Sequence, residues 1–152
     1  MNTMTRLSKD TAETIQYGEE LSRLLKKGDI VCLFGELGSG KTTFVKGLAK
    51  GLRVSPNKVH SPTFVLMNAY EGKIPLFHFD FYRIEKSSEL SSIGYDEFLY
   101  DEGIAVVEWA EHFGALMPKE YLKIRFQHKG ENKREIKISA HGKKYRPLLE
   151  KL

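Results

Sequence analysis

The sequence predicts an α/β fold: a central mixed, mainly parallel sheet with helices on both faces. Three observations carry that expectation. The runs Ile30–Phe34 and Ile104–Val107 are apolar throughout, the pattern of strands buried on both faces. Helical stretches alternate with such runs, as crossover connections between parallel strands require. A glycine-rich turn at residues 35–40 sits directly between one of the runs and a helix. The 152 residues are read as one domain, 1–152, because domains typically hold about 100–200 residues.

Taken in order, Ser8-Lys-Asp-Thr11 caps an amphipathic helix carrying Ile15, Leu21 and Leu24-Leu25, which ends at Lys26-Lys27-Gly28. Residues 29–34 form the first strand, and the turn at 35–40 leads into a helix over 41–52. Thr63–Tyr70 and Ile74–Phe81 read as antiparallel strands joined by Glu71-Gly72-Lys73. Ile104–Trp109 is a further strand, followed by a short helix to about Leu116 that Pro118 terminates. Tyr121–Gln127 and Glu135–Ala140 are strands around the turn Lys129-Gly-Glu-Asn-Lys133, and a basic helix closes the chain.

Charge is unevenly placed. Residues 119–152 carry 11 Lys and Arg against 4 Glu, while the first 118 carry 13 basic and 16 acidic groups. Lysines alternating along a sheet edge deter edge-to-edge aggregation, and they can also attract phosphate backbones. No apolar run approaches the ~18–20 residues of a membrane span, and the N-terminus lacks the apolar core of a secretory signal. With Cys32 the single cysteine, no internal disulfide or cysteine-based zinc site is possible. These features together predict a cytoplasmic protein without membrane contact.

The informative motif is Gly35-Glu36-Leu37-Gly38-Ser39-Gly40-Lys41-Thr42-Thr43, a match to G-x-x-x-x-G-K-[ST] after a strand and before a helix. Its glycines let backbone N–H groups wrap a β-phosphate, Lys41 bridges the β- and γ-phosphates, and the Thr42 hydroxyl suits Mg²⁺. The fold expectation narrows to a P-loop NTPase-like three-layer sandwich. Phosphoryl chemistry also needs an acid at a neighbouring strand end. Both Asp80, closing Leu76–Asp80, and Glu108, closing Ile104–Glu108, qualify. A GTPase is disfavoured because Asn57-Lys58-Val59-His60 lacks the Asp of a guanine-reading motif. A small-metabolite kinase has less support, since the seven arginines are scattered from Arg6 to Arg146. His60 and His78 lack metal-ligand spacing and read as packing or hydrogen-bonding residues, and Cys32 as a buried, inert thiol.

Ser61-Pro-Thr-Phe64, His78-Phe-Asp-Phe-Tyr-Arg83 and Val107-Glu-Trp109, in this order after the P-loop, make the chain resemble the TsaE (YjeE) family over nearly its whole length. The resemblance implies an ATPase of bacterial tRNA threonylcarbamoyladenosine synthesis. Such a protein is slow alone and resets the TsaB–TsaD complex, meeting tRNA only through that complex. It implies ATP and Mg²⁺ as cofactors, Thr42 and Glu108 as metal ligands, Asp80 as the second essential acid beside Lys41, and Ser61–Thr63 as a switch-like loop. Trp109 would lie at the nucleotide site, with Thr11 and Lys133 closing over adenine and ribose. A scaffold gated by nucleotide binding alone, or a small-metabolite kinase, is the alternative. The acidic stretch from Glu85-Lys-Ser-Ser-Glu89 through Tyr95, Asp96, Glu97, Phe98, Tyr100, Asp101 and Glu102 is expected to dock the partners, with Tyr95, Phe98 and Tyr100 as anchors.

Overall fold

The computed structural model describes residues 3–100 and 102–152. Asp101 of the expected docking stretch lies outside the described residues. Seven strands form one sheet in the order β1-β7-β6-β2-β5-β4-β3. They are β1 (Thr3–Ser8), β2 (Ile30–Phe34), β3 (Met67–Tyr70), β4 (Leu76–Asp80), β5 (Ile104–Glu108), β6 (Tyr121–His128) and β7 (Arg134–His141). The central β6, β2, β5 and β4 run parallel. Antiparallel β3 borders one side, and antiparallel β7 followed by β1 the other. The mixed α/β sheet expected from the sequence is therefore present.

Alternation along each strand divides the core between the two faces. Val31, Leu33, Ile104, Val106, Leu122 and Ile124 pack under helices α1 (Thr11–Ser22) and α2 (Lys41–Gly51), with Leu148 and Leu149 of α5 (Arg146–Lys151). Ile30, Cys32, Phe79, Ala105 and Val107 point the other way, where α3 (Ser88–Ser92) and α4 (Asp96–Leu99) contribute Leu90 and Leu99. The chain leaves β2 through α2 on one face and leaves β5 on the other through a 3₁₀ segment, Ala110–Leu116, broken at Gly114. Connections diverging at the carboxyl ends of adjacent parallel strands open a crevice there.

Several expectations need correction. β1 was not expected, and it pairs with β7 over its full length. The first helix stops at Ser22 rather than Gly28, where the Ser22 hydroxyl donates to Glu19 O at 2.6 Å. Its start is as read: Asp10 caps it, accepting from Glu13 N at 2.9 Å. The strand expected from Thr63 begins only at Met67, because Leu66 N donates to Pro62 O at 2.7 Å and Leu66 takes φ 70°. Tyr95 and Phe98 do not present a surface: Tyr95 packs 6.0 Å from Phe113, and Phe98 5.4 Å from Phe77. Only Tyr100, 46% exposed, remains available as an aromatic anchor.

Candidate functional site

The crevice holds a cleft of about 440 Å³. The turn after β2 supplies Gly38 and Gly40 with φ of 75° and 108°, a left-handed backbone that glycine adopts without strain. Lys41, Thr42 and Thr43 then open α2, so the positive end of the helix dipole faces the cleft. Register between β4 and β5 sets Asp80 directly beside Glu108 at the sheet's carboxyl edge. Both share the alternation of Leu76, Ile104 and Val106, and so face α2.

Each charged group has partners. Glu108, 3% exposed, places both carboxylate oxygens 2.9 Å from Thr42 Oγ1, and its Oε2 lies 2.6 Å from His78 Nε2. Asp80 Oδ1 accepts from Tyr82 N at 2.9 Å. Its Oδ2 forms a triangle with the Ser61 and Thr63 hydroxyls, every edge 2.8 Å. Two hydroxyl protons serve these three contacts, so one contact is always without a proton of its own. Lys41 Nζ donates to Gly35 O and stands 3.5 Å from the centre of the Trp109 ring, a cation–π arrangement. Burial lowers the Lys41 pKa, and the nearby Glu108, Glu111 and Asp80 oppose that shift. Trp109 itself takes φ 56°, a left-handed conformation costly for a bulky residue and typical of functional sites.

Most residues expected at the site converge. Thr11, Leu37, Gly38, Gly40, Lys41, Thr42, Thr43, Asp80, Glu108 and Trp109 line the cleft, with Ser61 and Thr63 of the expected switch-like loop. Gly35, Glu36 and Ser39 instead line an adjoining cleft on the other side of the loop. Lys133 lines neither; its carbonyl accepts from Lys129 N at 2.9 Å and Arg134 Nη1 at 3.0 Å. Its neighbours Asn132 and Arg134 take that place, Arg134 Nη2 donating to Gly38 O at 3.4 Å. Counting by two back from the buried Ile136 reaches Arg134, which would have pointed to it rather than to Lys133. Asp10 and Thr14, also in the lining, carry no comparable signal.

The model of the family described as "Threonylcarbamoyl adenosine biosynthesis protein TsaE" matches residues 8–136. The chain belongs to the TsaE family. The tRNA threonylcarbamoyladenosine biosynthesis protein TsaE of Bacillus subtilis is 40% identical over 141 residues, covering 92% of this chain and 87% of that protein. The protein of the same name from Aquifex aeolicus is 43% identical over 128 residues, covering 83% and 88%. A crystal structure of B. subtilis YdiB superposes with a TM-score of 0.84 at 33% identity, over 98% of this chain and 93% of that one. TsaE-family membership assigns the chain to tRNA threonylcarbamoyladenosine biosynthesis. Among the described residues no helix is long and apolar enough to cross a membrane.

Proposed function

We propose that the chain is a cytoplasmic, Mg²⁺-dependent ATPase that drives the TsaB–TsaD complex through its cycle as it modifies the adenosine beside the tRNA anticodon. The observation that supports it best is the pairing of the P-loop with two buried strand-end carboxylates in one cleft. The donor set suits the cofactors. Mg²⁺ prefers one or two carboxylates with phosphate and water completing its shell, and Thr42 Oγ1 beside Glu108 offers one hydroxyl and one carboxylate. Lys41 then exchanges Gly35 O for the β- and γ-phosphates, and Asp80 orients the attacking water. Water would add to the γ-phosphorus as the bond to the β–γ bridging oxygen breaks, giving ADP and inorganic phosphate, with one water proton kept on the phosphate and the other released to solvent. Thr11, Asn132 and Arg134, in the lining of the same cleft, would hold the nucleoside end.

ATP turnover by the purified chain with Mg²⁺, measured with and without TsaB–TsaD, tests this reading. Slow turnover alone and stimulation by the partners are expected. Partner assembly that follows ATP binding without turnover would favour the scaffold, and an absence of ATP binding would overturn both.

A further inference from the structure

His78 has no part in the roles above, yet it is fully buried in the middle of β4. A buried imidazole is costly unless its nitrogens are partnered, and both are. Nε2 lies 2.6 Å from Glu108 Oε2, and Nδ1 lies 3.2 Å from the Tyr70 hydroxyl. An ionised carboxylate only accepts, so Nε2 carries the hydrogen. Nδ1 then accepts the single Tyr70 hydroxyl proton, and the Tyr70 oxygen accepts from His60 N at 3.3 Å. Glu108 is thereby linked through two side chains to the main chain of residue 60. The next residues, Ser61 and Thr63, hold Asp80. One short loop is tied to both acids.

We propose that His78, backed by Tyr70, is a positioning residue that pins Glu108 Oε2, holds the carboxylate facing Thr42, and couples it to the loop that holds Asp80. The proposal rests on the ATPase reading for its effect on nucleotide and metal, but not for the geometry of the imidazole. Partners that orient a metal-binding side chain change metal affinity about 10–100-fold when removed. A histidine that only fills the core would alter stability and leave the metal requirement unchanged.

The test uses the full chain and three variants: His78→Leu removes the donor, His78→Gln keeps an N–H able to reach Glu108, and Tyr70→Phe removes one hydroxyl. ADP binding is titrated by calorimetry with and without Mg²⁺, and the imidazole nitrogens are followed by NMR. In His78→Leu the Mg²⁺ needed to tighten ADP binding should rise roughly tenfold to a hundredfold, with affinity in the absence of Mg²⁺ retained. His78→Gln should recover part of the loss, and Tyr70→Phe should move the Nδ1 resonance while raising the Mg²⁺ requirement less. An unchanged Mg²⁺ requirement in both His78→Leu and Tyr70→Phe would overturn the proposal. Equal losses with and without Mg²⁺, or a His78 protonated only at Nδ1, would do the same. If wild-type protein failed to bind ADP, the nucleotide reading would fall, while the nitrogen resonances would still decide whether Glu108 and Tyr70 hold the ring.

Discussion

Replacing Gly47 by alanine should loosen the walls of the cleft from a distance. Gly47 of α2 and Gly18 of α1 meet where the helices cross, and both are buried. A Cβ on Gly47 would stand 2.1 Å from Ile15 O and 2.9 Å from Gly18 Cα, against 3.4–4 Å for ordinary contact. Backbone atoms cannot rotate aside, so the helices must separate by more than an ångström. Overpacking of this kind costs about 1–3 kcal/mol, and rigid neighbours place it near about 3. Alanine gains about 1 kcal/mol over glycine in a helix interior, leaving a net loss of about 2 kcal/mol. At about 2–4 °C per kcal/mol for a chain of this size, Tm should fall by about 4–8 °C. Because α1 brings Thr11 and α2 brings Lys41 and Thr42 to the cleft, ADP affinity should weaken as well. Thermal unfolding followed by circular dichroism and calorimetric ADP titration would measure both. Helix propensity alone predicts the opposite sign, so a Tm raised in Gly47→Ala would refute the close-crossing argument.

Lys41→Ala should weaken Mg-ADP binding about tenfold to a hundredfold through loss of a charge-assisted hydrogen bond, and a calorimetric titration at wild-type affinity would contradict the P-loop role. Asp80→Ala and Glu108→Ala should each lower partner-stimulated turnover by about a hundredfold or more while reducing ATP binding less; normal phosphate release in either variant would remove that acid from the chemistry. Trp109, the single tryptophan, should change its fluorescence when Mg-ADP draws Lys41 from its ring, and an unchanged spectrum at saturation would count against that exchange. Reversing charge at the exposed Asp96, Glu97 and Glu102 should slow association with TsaB–TsaD at low salt and leave ATP affinity intact. Unchanged association kinetics by surface plasmon resonance would place docking elsewhere.

The parts legible in the sequence are those whose signal is local. The P-loop carries its own spacing, and β2 throughout and β5 up to Val107 are apolar because helices cover both faces of the sheet there. Asp80 and Glu108 stand out because each closes such a run. β1 was hidden because an edge strand needs only every second residue inside: Met4 packs on the core while Thr3, Thr5 and Leu7 are exposed. The end of α1 was hidden because Leu24 and Leu25 remain inward after the helix stops. Apolar content alone does not distinguish a further helical turn from a packed turn. Tyr95 and Phe98 were misread for the opposite reason, since aromatic residues in an acidic stretch fit an interface as well as a core. The link between His78 and Glu108 depends on strand order and register across a sequence separation of 30 residues, and no local pattern encodes those.

The partners held by the site residues also bear on how a ligand would act there. Lys41 rests on Gly35 O and the Trp109 ring, Glu108 on Thr42 and His78, and Asp80 on Ser61, Thr63 and the Tyr82 amide. Ligand binding at such a site exchanges partners rather than satisfying bare charges, so its net affinity is the difference between two sets of similar interactions. The cation–π contact alone sets about 0.5–2 kcal/mol against Lys41 leaving. What the exchange gains is connection to the surface. Phe64, 82% exposed, directly follows Thr63, and Leu37, 74% exposed, lies between Gly35 and Gly38. Movement of the Thr63 hydroxyl on Asp80, or of the loop at Gly38, would therefore reach an exposed apolar residue through one peptide link.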